Sequence, residues 1–348
     1  MFPIIPANSA AADSGNDEGI FGFGTTGSVC DITNKVSNAG VVASDVTGVG
    51  TARRTVAACE FGGDQGIFGF GKTASLTAVT NLVSNTGVVA SDTAGVGTVR
   101  NYLAACSYGD DKGIFGFGHD GSNQSMTNLV SNAGVVASDT AGVGTARYAL
   151  AACEFGGDQG IFGFSADGYT AITNLVSNAG VVASDQATVT GTARGYLAAC
   201  SFGEDEGVFG YGVDSGSVTA VTNLVSNTGV VASDTAGVGT ARQNIAACEF
   251  GGDQAIFGFG YDGGYTAITN LVSNTGVVAS DQAATTGQVR GYIAACEYGG
   301  DKGIFGFGYI ANVGQAAMTN LVSNAGVVAT DTAGVGTARS GLAACSFN

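Results

Sequence analysis

The chain has 348 residues with a formal net charge of −16, is 45% hydrophobic and 11% charged, and contains 59 Gly, 2 Pro and no Trp. That is too apolar and too weakly charged for a disordered chain, and an acid excess without a basic stripe excludes nucleic-acid binding. No apolar run reaches membrane-spanning length, so no membrane insertion is expected.

Residues 1–14 stand apart from everything that follows. They hold both prolines, Pro3 and Pro6, and the apolar set Phe2, Ile4 and Ile5. The segment lacks a basic start and makes a poor secretory signal. Its prolines favour an extended conformation, so it is read as a docking tail for a neighbouring subunit or another assembly protein, or as a strap across its own domain.

From residue 15 onward the chain repeats. Asp17, Asp64, Asp111, Asp158, Asp205, Asp253 and Asp301 each open a unit of about 47 residues, a period that points to a solenoid, an array or a propeller. Within a unit the order is constant. A strand of the type GIFGFG follows the turn Asp, then a variable stretch, then a strand around TNLV, then an Asn-Ala-Gly or Asn-Thr-Gly turn, then GVVAS. A Gly/Thr loop ending in Arg leads to a small-residue strand of the type LAACEF and the next turn. Both turns are hairpin chemistry, and no unit carries a capped helical period. Four antiparallel strands in a unit of this length describe a β-propeller blade. Alternation places Phe68 and Phe70 on one face and Ile67, Gly69 and Gly71 on the other, so that rings can nest against glycines of the next blade. The Ala-Ala-Cys strand suits the crowded axis. The chain ends on such a strand, and its first unit lacks one. Residues 340–347 therefore complete the first blade, and residues 15–348 form an all-β, seven-bladed propeller without open edges.

An Arg before the inner strand, as in Thr-Ala-Arg147, followed by an apolar strand with glycines, resembles the Kelch type of repeat. The glycines are spaced rather than adjacent and the Kelch Tyr and Trp are missing, so this resemblance covers architecture. The phrases TNLVSNTGVVASDTAGVGTVR (80–100) and DKGIFGFG (111–118) resemble tandem repeats in predicted virion structural proteins of aquatic bacteriophages, over residues 15–348. That resemblance implies a virion or extracellular assembly, with other virion or scaffold proteins as partners of residues 1–14.

Two of the four connections barely change between units and two change every time. The variable ones are the loop after GIFGFG and the residues after the loop Arg, which a propeller places at one end. Tyr102, Tyr148, Tyr169, Tyr196, Tyr261, Tyr265, Tyr292 and Tyr309 lie there, with His119. Tyr among Gly, Ser and Asn on variable loops is the chemistry of a recognition surface, suited to a cell-surface glycan or protein; free drift of unconstrained loops is the other reading.

Asp45, Asp92, Asp139, Asp185, Asp234, Asp281 and Asp331 of the VVASD segment, and Arg53, Arg100, Arg147, Arg194, Arg242, Arg290 and Arg339 of the loop that follows it, read as structural pairs, with a bidentate Arg fixing the loop. The turn aspartates read as turn caps rather than Ca²⁺ ligands. One Cys per unit, with no CxxC and one His, argues against zinc and for buried thiols; Cys30, in a variable loop, reads as partly exposed. No metal or cofactor is expected. His119 beside Asp120 makes no triad, so the chain is read as no enzyme. The expected function is a virion structural or appendage protein recognising host surfaces, the alternative a self-assembling scaffold docking through its tail.

Overall fold

The computed structural model describes residues 17–347 except 49, 187–190, 204 and 283–286. The N-terminal tail, with Phe2, Ile4 and Ile5, lies outside the described residues. Those described form an all-β molecule without helices, built of small antiparallel sheets.

Seven three-stranded sheets repeat one plan. In the second unit, Ala57–Phe61 pairs with Gln65–Gly69, which pairs with Thr80–Val83. The counterparts are Ala104–Tyr108, Lys112–Gly116 and Thr127–Val130; Ala151–Phe155, Gln159–Ser165 and Thr170–Val176; Ala198–Phe202, Glu206–Gly210 and Thr222–Val225; Ala246–Phe250, Gln254–Tyr261 and Tyr265–Val272; and Ala294–Tyr298, Lys302–Gly306 and Thr319–Val322. The remaining sheet is assembled from both ends of the chain. Its strands are Ala343–Phe347, Glu18–Gly22 and Thr33–Val36, with Ile20 opposite Cys345 and Phe21 opposite Ala344. The first strand of each sheet contacts the first strand of the next, and Ala343–Phe347 contacts both Ala294–Tyr298 and Ala57–Phe61, so the cycle closes. These seven strands are called axial below.

The hairpin joining the first two strands turns on Gly62 and Gly63, at φ 69° and 78°, the left-handed region that glycine enters freely. In the third unit Asp110 takes the second place at φ 65°, which Asp tolerates better than most residues.

Neighbouring sheets pack ring against glycine. A Cβ built on Gly69 would lie 2.7 Å from Cζ of Phe115, and one on Gly22 equally close to Phe68. Six of the seven axial cysteines sit likewise against a neighbour's glycine, Cys59 against Gly113 for example, and the equivalent position of the sixth unit is Ala255. The core thus runs between sheets, as in the cluster of Phe61, Ile67 and Phe70 with Phe115, Val130 and Val136.

Two expectations are corrected here. Phe68 and Phe70 do not share a face. The strand ends at Gly69 and Phe70 turns to φ 59°, so Phe68 packs on Phe23 of one neighbour while Phe70 packs on Phe115 of the other. The GVVAS segment, read as a fourth strand, forms no ladder. It touches the third strand at an isolated bridge, Val83 with Val89, and a second bridge, Thr80 with Thr93, follows just beyond it. The register slips by one residue between them, as in a bulge. The amide of Asn81 fills the gap, donating to Ala90 O at 3.0 Å.

Candidate functional site

The repeated Arg and Asp come first, because they hold the loops that shape both ends. All seven of the repeated arginines are buried, at most 1% exposed. Arg53 donates from Nε to Phe70 O at 2.8 Å, from one terminal nitrogen to Thr51 O at 3.0 Å, and from the other to Asn81 Oδ1 at 2.6 Å. Its guanidinium lies 4.0 Å from the centroid of Phe23 in the preceding sheet. Arg100, Arg147, Arg194, Arg242, Arg290 and Arg339 lie in the same way over Phe70, Phe117, Phe164, Tyr211, Phe259 and Phe307. The expected bidentate fork to Asp is not what forms: Arg53 is 3.9 Å from Asp92, Arg100 3.7 Å from Asp139, Arg147 3.9 Å from Asp185, Arg194 3.9 Å from Asp234 and Arg290 3.2 Å from Asp331. Asp281 lies near Arg242, and Asp45 near Arg339 across the two ends of the chain. The carboxylate instead accepts from the loop. Thr51 donates to Asp92 through its N–H and its hydroxyl, and Asn81 donates at 3.0 Å. Burial disfavours the Asp92 carboxylate, yet these donors and the Arg53 charge outweigh it and hold it below its ordinary range; Asp45, Asp139, Asp185 and Asp281 are depressed alike. Burial brings Arg53, Arg100, Arg147, Arg194, Arg290 and Arg339 down to about 10. The asparagine of TNLV, passed over in the sequence, donates to the aspartate in every set, and in five of the seven, all but those of Asn34 and Asn223, its carbonyl also accepts from the Arg. Its signal was an invariant Asn inside an otherwise apolar strand.

The variable loops and the residues after each Arg meet at one end, bridged by pairs such as Asn101 with His119, Gln243 with Tyr261 and Gly291 with Tyr309. The second residue after each Arg faces the axis. Thr55, Tyr102, Ala149, Tyr196, Asn244, Tyr292 and Gly341 all adopt φ between 51° and 61°, a conformation that costs a non-glycine residue about 1 kcal/mol. Their peptides chain around the mouth: Ala149 N–H donates to Tyr102 O, Tyr196 N–H to Ala149 O, Asn244 N–H to Tyr196 O, Gly341 N–H to Tyr292 O and Thr55 N–H to Gly341 O. They surround a cavity of about 450 Å³ whose floor is Val56, Leu103, Leu150, Leu197, Ile245, Ile293 and Leu342.

The predicted aromatic residues gather in two groups beside this cavity. Tyr265 lies 5.4 Å from Tyr261, 5.8 Å from Tyr309 and 6.5 Å from Tyr292, between ring centroids. Tyr148 lies 5.4 Å from His119 and 6.0 Å from Tyr102. Burial, with Tyr148, Tyr102 and Tyr169 close by, pushes the Tyr196 phenol up to about 12. Tyr102 and Tyr292 are 43% and 48% exposed.

The opposite end is built from the conserved plan of the turns. Each axial Cys is followed by Glu or Ser, and Glu60, Ser107, Glu154, Ser201, Glu249, Glu297 and Ser346 line a second cavity of about 320 Å³. Burial, reinforced by the other carboxylates, raises Glu60 and Glu154 to about 7 and Glu297 to about 8; burial raises Glu249 too. Sequence reasoning missed this ring, although Glu and Ser alternate with the buried Cys at period 2. The turn aspartates are occupied within the turns: Asp64 accepts from Asn85, and Asp111 O accepts the Gly62 N–H of the preceding sheet.

All eight cysteines are free and buried. This corrects the reading of Cys30, which the Gly24 and Arg53 backbones enclose through hydrogen bonds at 3.0 and 3.2 Å.

No protein-family model matches the chain, and no curated protein matches it. Among solved structures, it is similar to a fungal alcohol oxidase of the AA5 family determined in complex with copper, at 12% identity and a TM-score of 0.61, over 85% of this chain and 69% of that one. The likeness is one of fold. It corrects the reading that set catalysis aside, because a fold shared with an oxidase gives no ground for excluding an enzyme. The residues present do not fit a copper centre. His119 is the single histidine, its Nδ1 accepts the Gly121 N–H, and among the described residues no three His, Cys, Asp or Glu side chains could hold a metal ion. No helix of the described residues is long and apolar enough to cross a membrane.

Proposed function

We propose that the seven sheets are the blades of a closed seven-bladed propeller that works as a virion structural or appendage protein in an extracellular assembly. Its tyrosine end recognises a glycan or protein on a host surface. The closed cycle of axial strands supports the ring, and the pairing of Ala343–Phe347 with Glu18–Gly22 supports its seam. The observation that carries the recognition reading is the gathering of tyrosines from separate variable loops around one axial cavity. Rings held by their neighbours lose little entropy on binding, and each offers an apolar face beside a hydroxyl. Residues 1–14 lie outside the described residues and are not needed for this reading.

Replacing Tyr261, Tyr265 and Tyr292 together by Ala should abolish binding to a glycan array or to intact host cells and leave thermal unfolding within a few degrees. Unchanged binding by the triple variant would refute the reading.

A further inference from the structure

We propose that the axial cavity at the tyrosine end takes one neutral pyranose ring, the terminal sugar of a glycan. This deepens the recognition reading, rests on it, and assigns the centre of that surface a ligand class.

Charge is the first argument. None of the residues lining the cavity is charged, and the chain carries a net charge of −16, a field that repels anions. Phosphates, sulfates and sialic acids are therefore poor occupants, and no acidic group stands in the lining to pair with a cation.

The chemistry of the walls is the second. The floor is aliphatic throughout, whereas Thr55, Gln243, Asn244 and the phenols of Tyr102, Tyr196 and Tyr292 supply hydroxyls and amides around the mouth. A pyranose has the same division, with C–H groups on its faces and hydroxyls round its edge. The volume, about 450 Å³, lies in the range of small-ligand sites and suits one ring with its glycosidic oxygen pointing outward.

Backbone strain is the third. A mouth made of glycine would adopt the left-handed conformation at no cost, and Gly341 does so at φ 61°. Tyr102, Tyr196 and Tyr292 hold it at φ 52°, 53° and 54°, and Thr55 does so despite its branched Cβ. These side chains are kept at the mouth against a local conformational cost, and peptide hydrogen bonds to Tyr102 O, to the N–H and O of Tyr196 and to Tyr292 O fix their Cα–Cβ directions before any ligand arrives. Such prior ordering lowers the entropy cost of binding.

The test uses the whole protein with the methyl glycosides of galactose, glucose, mannose and N-acetylglucosamine as probes, and saturation-transfer NMR as the readout. The expected result is transfer to the ring protons of at least one probe. Gly341→Tyr adds a fourth mouth tyrosine at a backbone angle the other three already use, and its Cβ meets no atom within 4 Å. It should weaken binding at least tenfold. Should that variant not fold, Tyr102→Ala with Tyr196→Ala removes the walls without adding bulk and must give the same loss. No transfer to any neutral probe, tighter binding of methyl sialoside, or full affinity in the folded variants overturns the assignment. Array binding that survives Gly341→Tyr but is lost with the Tyr261, Tyr265 and Tyr292 triple variant refutes the cavity and leaves the rim reading standing. Array binding that survives both refutes the two together.

Discussion

Raising the pH from 5 to 8 should weaken this fold, because four carboxyls meet at the axis. Glu60, Glu154, Glu249 and Glu297 share one opening with Ser107, Ser201 and Ser346. Burial and mutual repulsion raise Glu60 and Glu154 from 4.5 to about 7 and Glu297 to about 8. A carboxyl whose folded value lies above its unfolded one holds its proton more tightly when folded. Its stabilisation is complete below the unfolded value of 4.5 and disappears as pH rises through 7 to 8. Each proton so held changes stability by about 1.4 kcal/mol per pH unit. Water at the mouth screens the carboxyls and they titrate as a set. Counting one proton for the set, the loss between pH 5 and 7 is about 3 kcal/mol. The depressed aspartates act elsewhere: Asp45, Asp92, Asp139, Asp185 and Asp281 contribute stability that is lost only as pH falls below their unfolded value of 3.8. The two windows leave an optimum between the unfolded values of 3.8 and 4.5, and stability falls from there toward pH 8. Urea unfolding across the series measures it. Replacing all four glutamates by Ser, the residue three sheets already carry, should flatten the curve between pH 5 and 8 and raise stability at pH 8. A wild-type curve flat over that range, or a quadruple variant with the same slope as wild type, would refute the reasoning.

Arg147→Leu leaves the Asn174 side-chain carbonyl and the Phe164 and Thr145 carbonyls without their Arg donor and removes the positive charge 3.9 Å from Asp185, and urea midpoints should report a loss of about 3–5 kcal/mol. Arg147→Lys should recover little, since an ammonium cannot span partners so far apart. Gly163→Ala drives a methyl to within 2.7 Å of the Phe209 ring and should cost about 1–3 kcal/mol. Gly160→Ala should cost less in the same assay, because its nearest neighbour is the Cys106 thiol at 2.8 Å, with Ser107 O at 3.3 Å, and the sixth unit already places Ala255 at the equivalent site. Deleting residues 340–347 should lower one cooperative unfolding transition of the entire molecule; amide exchange confined to the sheet of Glu18–Gly22 and Thr33–Val36 would show that the seam carries no such weight.

The repeat, its turns and its three paired strands were legible because period-2 alternation and Gly/Asn turns act locally, within a few residues. What the sequence hid depends on registers between segments far apart. GVVAS alternates like a strand, but whether it pairs is decided by a bulge that the Asn81 amide bridges to Ala90 O. Phe70 reads as the next position of a strand, yet its left-handed turn delivers its ring to the opposite neighbour and places Arg100 over it. The nearest aspartate in sequence to Arg53 is Asp45, and its partner is Asp92, on the far side of its own sheet. Local patterning names the segments; only the packing of sheet on sheet decides which of their polar groups meet.

That division explains why the tyrosine end and not the glutamate end was read as the site. Variation marked the first, and the positions that varied are those the structure brings together around the cavity. The glutamates sit at a position that merely alternates between Glu and Ser, so nothing in one unit announces that the seven converge. Yet convergence is imposed by the same strand. Reading Ala57–Phe61 outward from the tyrosine end, the side chains that alternate toward the axis are Val56, Ala58 and Glu60, while Ala57, Cys59 and Phe61 are buried between sheets. One strand, repeated, therefore sets an aliphatic floor, a narrow middle and an acidic mouth. The cavity floor holds without a charge only because the carboxyls lie at the other end, and moving Glu by two residues, as in Ala58→Glu with Glu60→Ala, should destabilise the protein more than either cavity variant does.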